Sequence, residues 1–283
     1  MKQLLDLLIR HRLSVIGASI LALFALVAIL APYVAPFDPW ERGTPMLPPS
    51  GKHLLGTNDI GQDLLSELLY GARTSLFIAF FASVASTAIG VSLGLLSGYY
   101  SRLGFVAMRV VDVFLLVPRF PLIILIATLL TPSVWNLILI FVIFGWPRTT
   151  RIIRSGVLSQ RNREYVDGVR MLGAWDPYVI RRYVFPQVLP LALVQLVLEA
   201  SHVILAESGL SFLGLGDPAA KSWGTMLHYA FEYPAIFVSD VWVRWMLPPG
   251  ACITLAVLAL VFLGHAWEEW ANPRLKQWSP ARM

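Results

Sequence analysis

Residues 120–147 read FPLIILIATLLTPSVWNLILIFVIFGWP, without one charged side chain. A helix needs roughly 20 apolar residues to cross the hydrocarbon of a bilayer. The run is too long for one such helix and too short for two. Thr131-Pro132-Ser133 divides it, because such a triplet interrupts a helical pattern. The first half must borrow residues from upstream, starting near Met108 and carrying Arg109, Asp112 and Arg119. The second half gives a helix over 134–150. Working outward, apolar runs predict further spans over 75–98 and 13–35 on one side and over 185–206 and 247–266 on the other. The expected fold is an all-α polytopic membrane protein with six transmembrane helices.

Composition agrees. Hydrophobic residues make up 57% of the 283 and charged residues 14%, against about 25% charged in soluble domains. Six crossings put both termini on one side. Of the 22 Lys and Arg residues, only Arg42, Lys52, Arg73, Lys221 and Arg244 fall on the opposite face, and Arg119 lies within a span. Positive charge collects at the cytoplasmic face, so the termini and the 151–182 loop are expected inside, with 36–74 and 207–246 outside. The same distribution argues against nucleic acid as the reason for the net charge of +5. Lys2, Arg10 and Arg12 precede the first apolar run, but that run exceeds a signal-peptide core and lacks a small-x-small cleavage site. It reads as a retained helix. The single cysteine, Cys252, sits in an apolar run and reads as a small buried residue. Outside, 36–52 is Pro-rich and irregular. Residues 57–72 predict a short helix on the membrane surface, with Leu64, Leu65, Leu68 and Leu69 on one face and Asp63 and Glu67 elsewhere.

Several constellations stand out. Ala82, Ser86, Gly90, Gly94 and Gly98 are four apart on one helical stripe. Small residues let helix backbones approach closely in lipid, either within the chain or against a second subunit. Glu199, His202 and Glu207 follow along the fifth span. Ionisable groups in a span are costly and often functional. Glu199 and His202 can meet across one turn, as a proton relay or as a structural pair facing a water-filled cavity. Arg119 lies in Pro118-Arg119-Phe120-Pro121, where prolines bend a helix and free carbonyls. It either faces a pathway or satisfies those carbonyls. Arg109 and Asp112 have the spacing of a local ion pair. No phosphate loop, H-E-x-x-H metal motif or nucleophile elbow occurs. The chain therefore reads as a non-enzyme, and any energy for transport comes from another chain or an ion gradient.

The loop between the fourth and fifth spans is Arg-rich, with Arg148, Arg151, Arg154, Arg161, Arg163, Arg181 and Arg182 around Glu164-Tyr165-Val166-Asp167-Gly168-Val169-Arg170-Met171-Leu172-Gly173-Ala174. It predicts a short helix over 163–172 closed by Gly173, whose left-handed conformation ends a helix. Asp176-Pro177 starts a new segment. The helix would project Tyr165, Val166, Val169 and Leu172, ringed by Arg163, Asp167 and Arg170. Such a helix fits a groove on a partner, or lies on lipid headgroups.

These residues resemble the cytoplasmic signature E-A-A-x3-G-x9-I-x-L-P of binding-protein-dependent ABC importer permeases. Here it reads Asp167-Gly168-Val169, Gly173 and Tyr183-Val184-Phe185-Pro186, with Asp for Glu and Gly-Val for Ala-Ala. Further runs resemble the C-type permease of dipeptide, oligopeptide and nickel importers. His53-Leu54-Leu55-Gly56-Thr57-Asn58-Asp59-Ile60-Gly61-Gln62-Asp63 is similar to H-x-L-G-T-D-x-x-G-R-D, and Gly71-Ala72-Arg73-Thr74-Ser75-Leu76 continues it. Gln62 and Glu67 stand where Arg is usual. Glu207 to Gly216 followed by Trp223-Gly224-Thr225-Met226-Leu227 resembles E-A-x-L-S-F-L-G-L-G…W-G-x-M-L, and Asn272-Pro273-Arg274-Leu275 resembles D-P-R-L.

The resemblance implies a type I ABC importer permease fold with a MetI-like core. Residues 1–74 would hold the first helix and an external segment, 75–270 the five-helix core with the 151–182 coupling loop, and 271–283 a cytoplasmic tail. It implies a homologous B-type permease, two cytoplasmic ATPases, an external solute-binding protein and surrounding lipid as partners. ATP and Mg would bind the ATPases, and no cofactor this chain. The helix of Glu164, Tyr165, Val166, Asp167, Gly168, Val169, Arg170, Leu172, Gly173 and Ala174 would dock in an ATPase. Arg119, Glu199, His202 and Glu207 are the pathway candidates. The location implied is the plasma (inner) membrane of a prokaryote. Peptides are the expected cargo, with nickel, oligosaccharides or another small solute as alternatives. An ion-coupled secondary transporter using Glu199 and His202 is the reading from a different class.

Overall fold

A computed structural model of the chain describes residues 12–271. In chain order its helices are α1 (Arg12–Val34), α2 (Leu64–Tyr99), α3 (Ser101–Leu116), α4 (Arg119–Leu129), α5 (Val134–Arg161), α6 (Glu164–Met171), α7 (Asp176–Val179), a π-helical turn (Ile180–Val184), α8 (Phe185–Phe212), α9 (Trp223–Glu232), α10 (Val241–Trp245) and α11 (Leu247–Ala271). The fold is all-helical. Five stretches are long and apolar enough to span a membrane, and the bent pair α3–α4 makes a sixth if counted as one. The Asn272-Pro273-Arg274-Leu275 motif and the expected tail lie outside the described residues, as do Lys2 and Arg10.

Helix α2 corrects the separate surface helix expected over 57–72. The chain is irregular through residue 62 and then helical without a break from Leu64 to Tyr99. Two features set that start. Gly61 takes a φ of +84°, a left-handed turn that favours glycine. Asp63 then caps the helix, its carboxylate accepting from the Ser66 amide at 2.8 Å. No proline occurs in 64–99 to stop the helix. Leu64 faces an apolar cluster with Met226, Ala230, Ile236 and Trp245 rather than lipid headgroups.

The third span starts at Ser101, earlier than the expected Met108, and breaks by 83° between α3 and α4. The expected proline bend is present. Pro118 disfavours helical backbone in the residue before it, and Val117 is extended at φ −84°, ψ 132°. Helix α5 carries on past residue 150 to Arg161. The fifth span is also longer than 185–206, running from Asp176 to Phe212 through the π turn. There the Phe185 amide donates to the Ile180 carbonyl, five residues back. An inserted residue of this kind relaxes a helix next to Pro186, which has no N–H to give. The run from Ser208 to Phe212, expected in an external loop, is therefore the end of α8.

The small-residue stripe of α2 lies against α5 of the same chain. A Cβ on Gly90 would sit 2.6 Å from the Thr149 Cβ, one on Gly94 2.7 Å from that of Ile153, and one on Gly98 2.7 Å from that of Val157. Both partners repeat every four residues, the ridge spacing of close helix packing. Ala82 and Ser86 continue the stripe and are fully buried.

Candidate functional site

The loop helix α6 is fixed to the body of the protein by one side chain above all. Val166 is fully buried and packs in a cluster with Tyr99, Ile153, Val157, Val179, Val184 and Val188. This corrects the expectation that Val166 projects from the helix. Val169 is half-buried, while Tyr165 and Leu172 are exposed as expected. Burial follows from the short connections, which bring the ends of α2, α5 and α8 under the loop. The face turned away carries Met171 and Leu172, each 87% exposed, with Trp175 beyond them. Nothing lies within 4 Å of a Cβ built on Gly168 or Gly173. One side of α6 is therefore anchored and the other is open, with Glu164 and Asp167 exposed beside Met171 and Leu172.

The C-terminus of α6 is closed by a paired-bond motif. The Gly173 amide donates to the Arg170 carbonyl at 2.9 Å and the Ala174 amide to the Val169 carbonyl at 3.3 Å. Gly173 has a φ of +85°, the left-handed conformation this ending requires. Glu164 and Asp167 lie in the first turn and Arg170 in the last, each sign matching the helix dipole.

A polar network locks α6 to its neighbours. The Arg170 guanidinium donates to the Tyr99 hydroxyl at 3.3 Å, and that hydroxyl donates to Asp176 at 2.8 Å. The guanidinium also stacks 4.9 Å from the Tyr99 ring centre. Partial burial works against the charge of Arg170, but the Tyr99 hydroxyl and the carboxylates of Asp167 and Asp176 outweigh it, so its pKa lies above the ordinary arginine value. Other loop arginines cap the C-terminus of α2. Arg161 donates to the Tyr99 carbonyl at 2.8 Å, and Arg154 reaches the Ser97 carbonyl at 3.4 Å. Cations at a helix C-terminus are stabilising, so part of the basic excess of this loop has a structural role.

The polar groups in the spans pair differently from expectation. Glu199 meets Arg119, not His202: Arg119 donates twice, at 2.5 and 3.3 Å. The 83° break brings this about, because it sets Arg119 at the start of α4, facing α8. Glu199 is buried and Arg119 one-third exposed. A fork–fork pair of this kind is the strong form of a charged hydrogen bond. His202 is exposed on the next turn. Asp112 pairs with Arg151 of α5 rather than with Arg109, while Arg109 lies over the Phe105 ring. Glu207 is fully buried, accepting from Ser75 at 3.1 Å and Ser211 at 2.8 Å.

One buried group was missed from the sequence. The Lys221 ammonium lies 2.5 Å from Glu67 and 2.7 Å from the Gln62 carbonyl oxygen. Asn58 donates to both Gln62 and Glu67. Two distant stretches of chain, 58–67 and the one holding Lys221, meet there. The available signal was the pair of non-basic residues, Gln62 and Glu67, in a motif that usually carries arginines.

Residues 87–277 match the family model described as binding-protein-dependent transport system inner membrane component. Residues 2–49 match the N-terminal transmembrane domain of oligopeptide transport permease C. The chain is 35% identical over 279 residues to the dipeptide transport system permease protein DppC of Haemophilus influenzae, covering 95% of this chain and 92% of that one. It is 36% identical over 271 residues to the di/tripeptide transport system permease protein DppC of Pseudomonas aeruginosa, covering 92% and 88%. A putative peptide transport system permease protein of Brucella abortus is 36% identical over 273 residues, covering 95% and 90%. With two-thirds of its length inside one family model and near-complete alignment to these relatives, the chain belongs to the inner-membrane components of binding-protein-dependent ABC transport systems, as a permease subunit that is not itself an enzyme.

Proposed function

We propose that this chain forms half of the translocation pathway of an ATP-driven importer of di- and oligopeptides. A B-type permease forms the other half, two ATPases bind at the cytoplasmic face, and an external solute-binding protein delivers the cargo. Both termini and the 151–182 loop face the cytosol, which the distribution of Lys and Arg supports. The peptide assignment rests on the relatives' names, and nickel or an oligosaccharide fits the same architecture.

The observation that carries the coupling role is the two-sided character of α6. Its inner side is held by buried Val166 and the Arg170–Tyr99–Asp176 network, while Met171, Leu172 and Trp175 are open. A helix so held transmits force rather than yielding to it. ATP binding closes the ATPases, draws the two permeases' loop helices together and tilts the spans, and hydrolysis resets them. This is a two-state element biased by a ligand. Arg119, Glu199 and His202 face the pathway in this reading, with the ion pair holding the broken span against α8. The pairing of Glu199 with Arg119 leaves no direct Glu199–His202 relay, which weighs against ion-coupled transport.

The test is a disulfide scan on the assembled transporter in a Cys252→Ser background. Leu172→Cys should crosslink to a cysteine in the ATPase cleft in a nucleotide-dependent manner. Labelling of that thiol by lipid-soluble reagents alone, or only from the external face, would overturn the assignment. Uptake of labelled dipeptide against nickel decides the cargo.

A further inference from the structure

One apolar groove is unused by the coupling role or the pathway. It lies among α1, α2, α8 and α11 and encloses about 730 Å³. Along α2 its wall is the stripe Arg73, Leu76, Phe80 and Ser83. Alanines hold it open, with Ala25 on α1 and Ala200 on α8 where a larger side chain would fill the space. Ser83 spends its hydroxyl on the Phe80 carbonyl at 3.1 Å. That leaves one free polar group on the wall of α2, the guanidinium of Arg73. Arg73 is exposed, and among the described residues it makes no side-chain hydrogen bond or ion pair.

Length and charge narrow the occupant. From Arg73 to Val84 the wall rises about 17 Å at 1.5 Å per residue. That is close to half of a hydrocarbon core roughly 30 Å thick. The groove is therefore one leaflet deep, with its cation at the end nearer the start of α2. An apolar wall of that length suits alkyl chains. The planar guanidinium matches the oxygens of a phosphate.

We infer that this groove binds a membrane phospholipid, its acyl chains on the alanine-lined wall and its phosphate on Arg73. The leaflet is the one at the start of α2, external in the orientation proposed above; only that label depends on the proposed function. The lipid fills space between α1 and the remaining helices and so holds α1 to the core.

The test uses the assembled transporter in nanodiscs containing phosphatidylglycerol with a mid-chain diazirine. After irradiation, peptide mapping should place label on 76–84 and 196–204 in preference to other lipid-facing surfaces. Ala25→Phe, which fills the groove, and Arg73→Gln, which removes the charge-assisted contact, should each lower that label about tenfold while gel-filtration profile and ATP hydrolysis stay at wild-type levels. In the unmodified protein, unlabelled phosphatidylglycerol should displace the probe and diacylglycerol, which lacks the phosphate, should not. Uniform labelling around the apolar belt, equal displacement by the two competitors, or a partner permease crosslinked along this groove would each overturn the inference.

Discussion

Replacing Lys221 with methionine isolates the energetic role of the outer polar cluster. The ammonium is 10% exposed and the Glu67 carboxylate 3% exposed, 2.5 Å apart. Methionine approximates the length of the lysine stem, so the main change is loss of charge beside a buried carboxylate. Breaking such a pair from one side costs about 3–5 kcal/mol, because the remaining charge stays desolvated. Asn58 donates one hydrogen bond to Glu67 at 3.3 Å and offsets part of this, which places the expectation near the lower end. At about 2–4 °C per kcal/mol for a chain of this size, the assembled permease should lose about 10 °C in thermal stability. The double variant Lys221→Met/Glu67→Gln removes both charges and should recover most of that loss, since a neutral pair in a buried site is often no worse than an ion pair. The assay is thermal unfolding of the purified complex followed by gel filtration, with limited proteolysis of 36–62 as a local readout. A double variant as unstable as the single one would refute the reasoning, because the loss would then come from packing and not from the stranded carboxylate.

Four other outcomes follow from geometry already given. Gly173→Leu forces a left-handed backbone on a branched residue at about 1–2 kcal/mol; it should leave membrane insertion and ATP hydrolysis intact while uptake falls, measured as ATP consumed per peptide imported. Gly168→Ala should keep uptake and firm α6 by up to about 1 kcal/mol, since the added methyl meets nothing, as protease resistance of the loop would register. Gly94→Ala should instead reduce the amount of folded permease, because its methyl would enter the Ile153 side chain and overpacking costs about 1–3 kcal/mol; quantitative blotting of membranes compares the two. Arg119→Gln should lower stability and uptake together by stranding Glu199, with Glu199→Gln in the same chain restoring stability in a thermal-shift measurement.

Hydropathy made the spans legible, because twenty apolar residues have one dominant explanation. Their ends were not legible, for local reasons. Asp63 and Gly61 start α2 through a cap and a turn, and the surface reading of 57–72 counted leucines without weighing those two residues. The fifth span starts early because a π turn carries the helix up to Pro186, and a proline in a sequence reads as a boundary. The loop after α5 was legible as a helix ending at Gly173. Which of its faces is buried was not, since Val166 and Leu172 are both apolar and only the ends of α2, α5 and α8 decide between them. Partners of charged groups were the least accessible. Sequence spacing suggested Glu199 with His202 and Arg109 with Asp112, yet the chain bend at Pro118 and the proximity of α3 to α5 produce Arg119–Glu199 and Arg151–Asp112.

Helix α2 has 36 residues, about 54 Å of rise, which exceeds the roughly 40–45 Å of a whole bilayer with its headgroups. Its first turn is clamped by Asp63 and Ser66, and its last residue touches Arg170 of α6. No proline interrupts it, and its glycines are packed, Gly90, Gly94 and Gly98 against α5 and Gly71 against Trp223, instead of being free to bend. Such a rod behaves like a see-saw plank: it has little slack to absorb a push. A shift by an ångström of the end that meets α6 has to reappear, reversed, at the other end if the fulcrum lies mid-membrane. In the transport cycle proposed above, opening on one face and closing on the other then become one motion, with no relay of small rearrangements needed in between.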